Sequence, residues 1–132
     1  MIGKLDDAMD FQAQALKLRS YRQQLLASNI ANGDTPHYKA VDIDFASALK
    51  NASQNTPQSL AATSPAHIAS SGRDPAGARL QFRGVSQPSV DGNTVDLDVE
   101  RAKFADNAVR YEAAVRFLSG QIHDLSSAIK GE

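Results

Sequence analysis

The chain has 132 residues, one domain by length, and its 14 Lys plus Arg against 15 Asp plus Glu leave a formal net charge of −1. That balance gives no general pull toward phosphate backbones or anionic lipid, so neither nucleic-acid binding nor direct lipid binding is expected. The lack of cysteine excludes disulfides, thiolate metal sites and a cysteine nucleophile.

No run reaches the ~20 apolar residues that span a bilayer. The opening MIGKLDDAMDFQ has no apolar core of a cleaved secretory signal, so the chain is expected in the cytoplasm or exported without one.

From Leu5 to Ile30 the pattern is helical, with two apolar rows. Phe11, Leu18 and Leu25 recur every seven residues; Met9, Leu16 and Ile30 form a second row that Gln23 interrupts. Together the rows are wider than the ~100° stripe of a simple surface helix and call for more than one neighbour. Asn32-Gly33 predicts a stop through a left-handed C′ residue, and Pro36 favours an extended Thr35. The N-terminal helix is therefore set at 1–32.

The middle, 33–95, is poor in large apolar residues. Alternation from Val41 to Phe45 predicts a short strand, with a helical turn toward Leu49 as the alternative. From Asn51 to Arg79 only Leu60 and Ile68 are large and apolar. So little burial does not offset roughly 1–2 kcal/mol of backbone entropy per residue, which predicts a segment mobile in isolation. Leu80, Phe82 and Val85 predict a second strand, and Asp91-Gly92 a turn whose far arm would include Val95 and Leu97.

Residues 96–132 read as one long helix with Asp96 or Asp98 as N-cap and Glu100 near its start. Phe104, Ala108, Tyr111, Val115, Leu118, Ile122, Leu125 and Ile129 alternate spacings of four and three, the heptad of a helix that packs along another. With Ala108 at a, the e positions are Ala105, Glu112, Ser119 and Ser126, and the g positions Asn107, Ala114, Gln121 and Ala128. Ion pairs at e and g therefore do not choose the partner. Val109 and Phe117 offer a further apolar contact off the seam, and Gly120 costs the helix about 1 kcal/mol relative to Ala. The expected fold is mainly α: long terminal helices packed as a coiled-coil hairpin, with an irregular, partly β middle. Phe104, Ala108, Tyr111, Val115, Leu118, Ile122, Leu125 and Ile129 are the expected assembly seam, facing Phe11, Leu18 and Leu25.

No chemistry assembles from the remaining residues. His37, His67 and His123 have no metal-ligand spacing, and alternating Asp42 and Asp44 read as solvated carboxylates. The run Asp91 to Glu100 fails the calcium-loop pattern, since Gly92 is second and Ala102 stands where Glu is required. The Arg19, Tyr21, Arg22 cluster is small and follows Asp6, Asp7 and Asp10. Neither an enzyme nor a cofactor is expected.

Two stretches carry a resemblance. LASNIANGDTPHYKAVDIDF, Leu26 to Phe45, is similar to the N-terminal signature of bacterial flagellar rod and hook proteins, matched at Leu26, Asn29, Ile30, Ala31, Asn32, Thr35, Pro36, Tyr38 and Lys39. The continuation AVDIDF resembles the proximal-rod branch more than the related branches, which usually have Gly before the Tyr, where this chain has His37. DGNTVDLDVERAKFADNAVRYEAAVRFLSGQI, from Asp91, Gly92, Asn93 and Thr94 onward, resembles the C-terminal block of the same branch, and Thr63, His67 and Ile68 lie between as an element also like that family.

The resemblance implies a structural subunit of the proximal rod of the flagellar basal body, in the periplasm, exported by the flagellar type III apparatus and built through its terminal helices into a helical tube. The implied partners are other flagellar rod proteins, the membrane-ring and export-gate proteins at the rod base, and copies of itself. On this reading the monomer orders fully only against its neighbours. A small secreted helical-hairpin adaptor or effector that binds one protein partner is the alternative.

Overall fold

A computed structural model describes residues 2–54, 78–84 and 89–131. The expected loop from Asn51 to Arg79 lies largely outside the described residues, as do Leu60, Thr63, His67, Ile68 and Val85.

The element order is α1 (Ile2–Ala31), β1 (Val41–Ile43), α2 (Phe45–Ser53), β2 (Leu80–Phe82) and α3 (Leu97–Lys130). The two long helices form the hairpin, and a small antiparallel sheet with α2 sits beside its base. In the sheet Val41 pairs with Phe82, Asp42 with Gln81 and Ile43 with Leu80. Asp44 starts α2 as its N-cap, accepting from the Ser47 N–H at 3.2 Å and the Ser47 hydroxyl at 2.6 Å. The helical alternative beyond Val41–Ile43 thus holds from Phe45 onward.

Asp96 caps α3, accepting from the N–H groups of Asp98 and Val99 at 3.1 and 3.3 Å. Asp98 and Glu100 place negative charge in its first turn, and Gly131 closes it in the left-handed conformation at φ 73. Leu97 is the first residue of α3, so the far arm expected after Asp91-Gly92 does not form. The Asp96 cap turns Val95-Asp96-Leu97 into a helix entry instead.

The core is small. Leu18, Ile43, Ala48 and Ala78 are buried together, with Tyr21, Leu25, Phe45 and Leu49 packed against them. The Arg19 guanidinium lies 4.4 Å from the Phe45 ring centre, a cation–π contact at the rim of this cluster. The Phe11, Leu18, Leu25 row of α1 thus supplies Leu18 and Leu25 to the β1–α2 layer. The other row supplies contacts to α3. Met9 shares an apolar groove of about 300 Å³ with Ile122, Leu125 and Ile129, and Gln23 meets Asn107. The wide face of α1 has two neighbours.

Gly33 departs from the expected left-handed helix stop, since its φ is not positive. Its lack of a side chain serves packing: a Cβ there would lie 2.6 Å from Leu97 Cδ2. The positive φ falls on His37, at 61.

Candidate assembly site

The two stretches that carried the resemblance meet at the base of the hairpin. Asn29, completely buried, organises the first. Its Oδ1 accepts the Val41 N–H at 3.1 Å and the Tyr38 hydroxyl at 3.2 Å, and its Nδ2 donates to the Val41 carbonyl at 2.7 Å. It treats Val41 as a neighbouring strand would, closing the outer edge of β1. Asn32 donates to the Ser28 carbonyl at 2.8 Å and accepts from Thr35 Oγ1 at 3.1 Å. Pro36 and His37 then occupy the centre of a turn closed by the Tyr38 N–H on the Thr35 carbonyl, 3.3 Å. A positive φ at the third residue of such a turn ordinarily favours glycine, and here His37 adopts it at 61.

The second stretch docks on the first. Asp91 accepts from Ser89 Oγ at 2.8 Å and the Asn93 N–H at 3.1 Å. These bonds, the Asn93 one foremost, hold its carboxyl below the usual range. Gly92 adopts φ 74, and a Cβ there would lie 2.9 Å from His37 Nδ1, so both conformation and space demand glycine. Asn93 donates to the carbonyls of Asn32, Gly33 and Thr35 at 3.0, 2.9 and 2.8 Å. One buried amide thereby serves three carbonyls of the turn that follows α1. Thr94 accepts the Ala40 N–H at 2.8 Å and donates its own to the Tyr38 carbonyl at 3.0 Å. Lys39 Nζ reaches the Gly92 carbonyl at 3.0 Å, and the His37 N–H reaches Asp91. Ile30 is half-buried and Ala31 exposed.

Beneath this platform lies an ion cluster that joins α1, β1, the residue after β2 and α3. Arg22 grips Asp42 with two bonds of 3.0 Å. Arg83 bridges Asp42, at 2.7 Å, to Glu100, and Asn29 donates to the other Glu100 oxygen at 3.1 Å. Burial alone would raise the Asp42 pKa, but the Arg22, Arg83 and Ile43 N–H bonds together bring it below the usual range. Asp42 is thus clamped rather than solvated, and Asp44 is a helix cap. Nearby, burial and the Arg83 charge lower the Lys103 pKa. Burial, Arg110 and Arg22 lower that of Arg19. Two arginines balance two carboxylates, so breaking any one link leaves a buried charge uncompensated, at a cost of ~3–5 kcal/mol for a fully buried pair.

Toward the far end of the hairpin the seam is unusual in composition. The face of α3 turned to α1 buries Glu100 and Asn107, with Gln121 further along. Asn107 donates to Gln23 Oε1 at 2.7 Å and to the Arg19 carbonyl at 2.9 Å, while its Oδ1 and the Gln121 Oε1 have no partner. A buried acceptor left open costs ~1–3 kcal/mol. Phe104, Ala108, Leu118 and Leu125 are half-buried. Tyr111, Val115, Ile122 and Ile129 remain 39, 36, 48 and 84% exposed, as do Val109 and Phe117 at 67 and 56%. Phe11 is half-buried on α1. The expected seam is therefore split, part of it inside the hairpin and part facing outward.

Sequence reasoning missed Arg22, Asp42, Arg83, Glu100 and Asn107 as organising residues. Gln23, the break in an apolar row, was the one available signal. Among the described residues no group of three or more His, Asp or Glu side chains is placed to hold a metal ion. No helix among them is long and apolar enough to cross a membrane.

The hairpin's base is locked by backbone-directed asparagines, and its long helix keeps an apolar flank exposed. Comparison with known proteins places the chain in a class of structural subunits. Residues 9–39 match the family described as flagella basal body rod protein. The chain is 48% identical to the flagellar basal body rod protein FlgB of Escherichia coli K12, over 98% of each chain. It is 47% identical to the FlgB proteins of Yersinia enterocolitica, over 98% of each chain, and Cereibacter sphaeroides ATCC 17029, over 96% of each. The chain belongs to the FlgB family of flagellar basal body rod proteins and is a structural subunit of that rod.

Proposed function

We propose that the chain forms the proximal part of the rod, exported by the flagellar type III apparatus and assembled in the periplasm into a helical tube through its terminal helices. The observation that carries the assembly step is the outward apolar flank of α3, where Val115, Ile122 and Ile129 stay exposed although the same helix packs along α1. Covering that flank removes apolar surface from water at roughly 25 cal/mol per Å². A flank used heterologously, against a different surface of the next subunit, generates an open helix rather than a closed ring.

The small core fits the same reading: a hairpin stabilised mainly at its base gains order along its length when neighbours cover the flank. Partners on this reading are other rod proteins, the membrane-ring and export-gate proteins at the rod base, and further copies of the chain. Of the expected seam residues, Phe11, Phe104, Ala108, Leu118 and Leu125 hold the hairpin, Leu18 and Leu25 pack the β1–α2 layer, and Tyr111, Val115, Ile122 and Ile129 meet the neighbour.

Deleting the gene and imaging basal bodies by electron microscopy tests the placement. Membrane rings without a rod, restored by the reintroduced gene, are expected. Complete rods in the deletion strain would overturn the proximal placement.

A further inference from the structure

The long helix turns a comparatively polar side to its partner. In a heptad the a, d and g rows follow one another around the helix at steps of about 50°. On α3 the d row is Phe104, Tyr111, Leu118 and Leu125. The g row on one side of it carries Asn107, Ala114 and Gln121, continuing Glu100, and the a row on the other carries Ala108, Val115, Ile122 and Ile129. Hydrophobicity alone would centre a and d on α1. Around Asn107 the structure centres g and d instead, burying Glu100 and Asn107 completely, while Val115 stays 36% exposed and Ile122 and Ile129, at the edge of the groove shared with Met9, stay 48 and 84% exposed.

We infer that Gln23 and Asn107 form a polar lock that sets the rotation of α3 about its own axis and so keeps the a row available for a neighbouring subunit. Gln23 lies where the second apolar row of α1 would otherwise continue. Its Oε1 takes the Asn107 amide at 2.7 Å, and the same amide reaches the Arg19 carbonyl at 2.9 Å. If α3 rolled by one row, Asn107 would reach water, but Gln23 would face Ala108 and Val115 with its amide unpaired. That penalty opposes the roll. The remaining open acceptors on Asn107 and Gln121 show that the seam is not tuned for maximal apolar burial. A single buried polar residue that specifies register and oligomer state at some expense of stability is an attested device in coiled coils.

Gln23 is the informative site for substitution. Gln23→Leu makes the α1 face apolar, strands Asn107 in the seam, and so favours the roll. Asn107→Leu makes the present face apolar and does not.

Because the chain has no cysteine, Ile122→Cys and Gln121→Cys can each be introduced singly and labelled with a maleimide in dilute solution. In the otherwise native chain Ile122→Cys reacts fast and Gln121→Cys slowly. Adding Gln23→Leu is expected to slow the first by about tenfold and speed the second, and adding Asn107→Leu as well restores the original order. Gln23→Met, close in volume, repeats the test where Leu perturbs folding, and circular dichroism confirms that each variant is helical. Unchanged labelling of both cysteines in folded Gln23→Leu and Gln23→Met chains would overturn the lock.

The consequence for assembly rests on the rod reading above, and the labelling does not. A rolled chain that still builds rods would count against the flank as the assembly surface and leave the lock standing.

Discussion

Asn29 on α1 and Glu100 on α3 are joined by a 3.1 Å hydrogen bond across 71 positions of sequence, both side chains completely buried. The same amide holds the edge of β1, so one side chain ties the end of the first long helix to the strand and to the start of the last helix. Asn29→Ala removes these bonds together and leaves Val41 and Glu100 short of partners. The expected loss is on the order of 3 kcal/mol, since each buried group left unpaired costs ~1–3 kcal/mol. Urea denaturation of the isolated chain checks it through a lowered midpoint.

Gly33→Ala drives a Cβ to within 2.6 Å of Leu97 Cδ2 and 3.3 Å of the Ile30 carbonyl. Overpacking of this kind costs ~1–3 kcal/mol. Trimming Leu97→Ala in the same chain should make the pair less destabilised than the sum of the two single changes. A double-mutant cycle on urea midpoints reads this directly, and strict additivity would show that the two residues do not press on each other.

The terminal helices and their heptad were legible because 3.5- and 3.6-residue periodicities are local properties of the chain. The Asp96 cap was legible for the same reason, as an Asp just before a helical run. Rotation of α3 was not legible. The heptad favours Val115 and Ile122 as the inward row, whereas the structure turns Asn107 inward because Gln23 waits for it on the other helix. Asp42 likewise resembled a solvated carboxylate because its two arginines are Arg22 and Arg83, one on each side of it in sequence and both distant. Gly33 read as a conformational stop, but its requirement is spatial and comes from Leu97. Each miss is a contact between residues far apart in sequence.

Gly120 lies within α3 with no neighbouring atom within 4 Å of where a Cβ would stand. Gly120→Ala is therefore expected to stabilise the isolated chain by about 1 kcal/mol, the helix-propensity difference. A raised urea midpoint is the expected readout. A lowered one would place a contact at this position that the hairpin alone does not show.

The ion cluster makes stability depend on pH with a definite sign. The Asp42 pKa is depressed in the fold. Its contribution is therefore present above the unfolded value of about 3.9 and is lost as pH falls through the lower folded value. Comparing urea midpoints from about pH 6 down to about pH 3, the native chain should lose more stability than Asp42→Asn, whose side chain does not titrate. Equal slopes for the two chains would show that Asp42 is not clamped in solution.

The central claim is that the a row of α3 is kept outward to meet another subunit, and Val115→Asp with Ile122→Asp tests it most directly. Both side chains are at least 36% exposed in the hairpin, so the isolated double variant should keep its helical circular dichroism. Introduced into a strain lacking the native gene, it is expected to give basal bodies with membrane rings and no rod, and cells that do not swim. Complete rods and normal swimming with this folded variant would contradict the claim and place the assembly contacts elsewhere on the subunit.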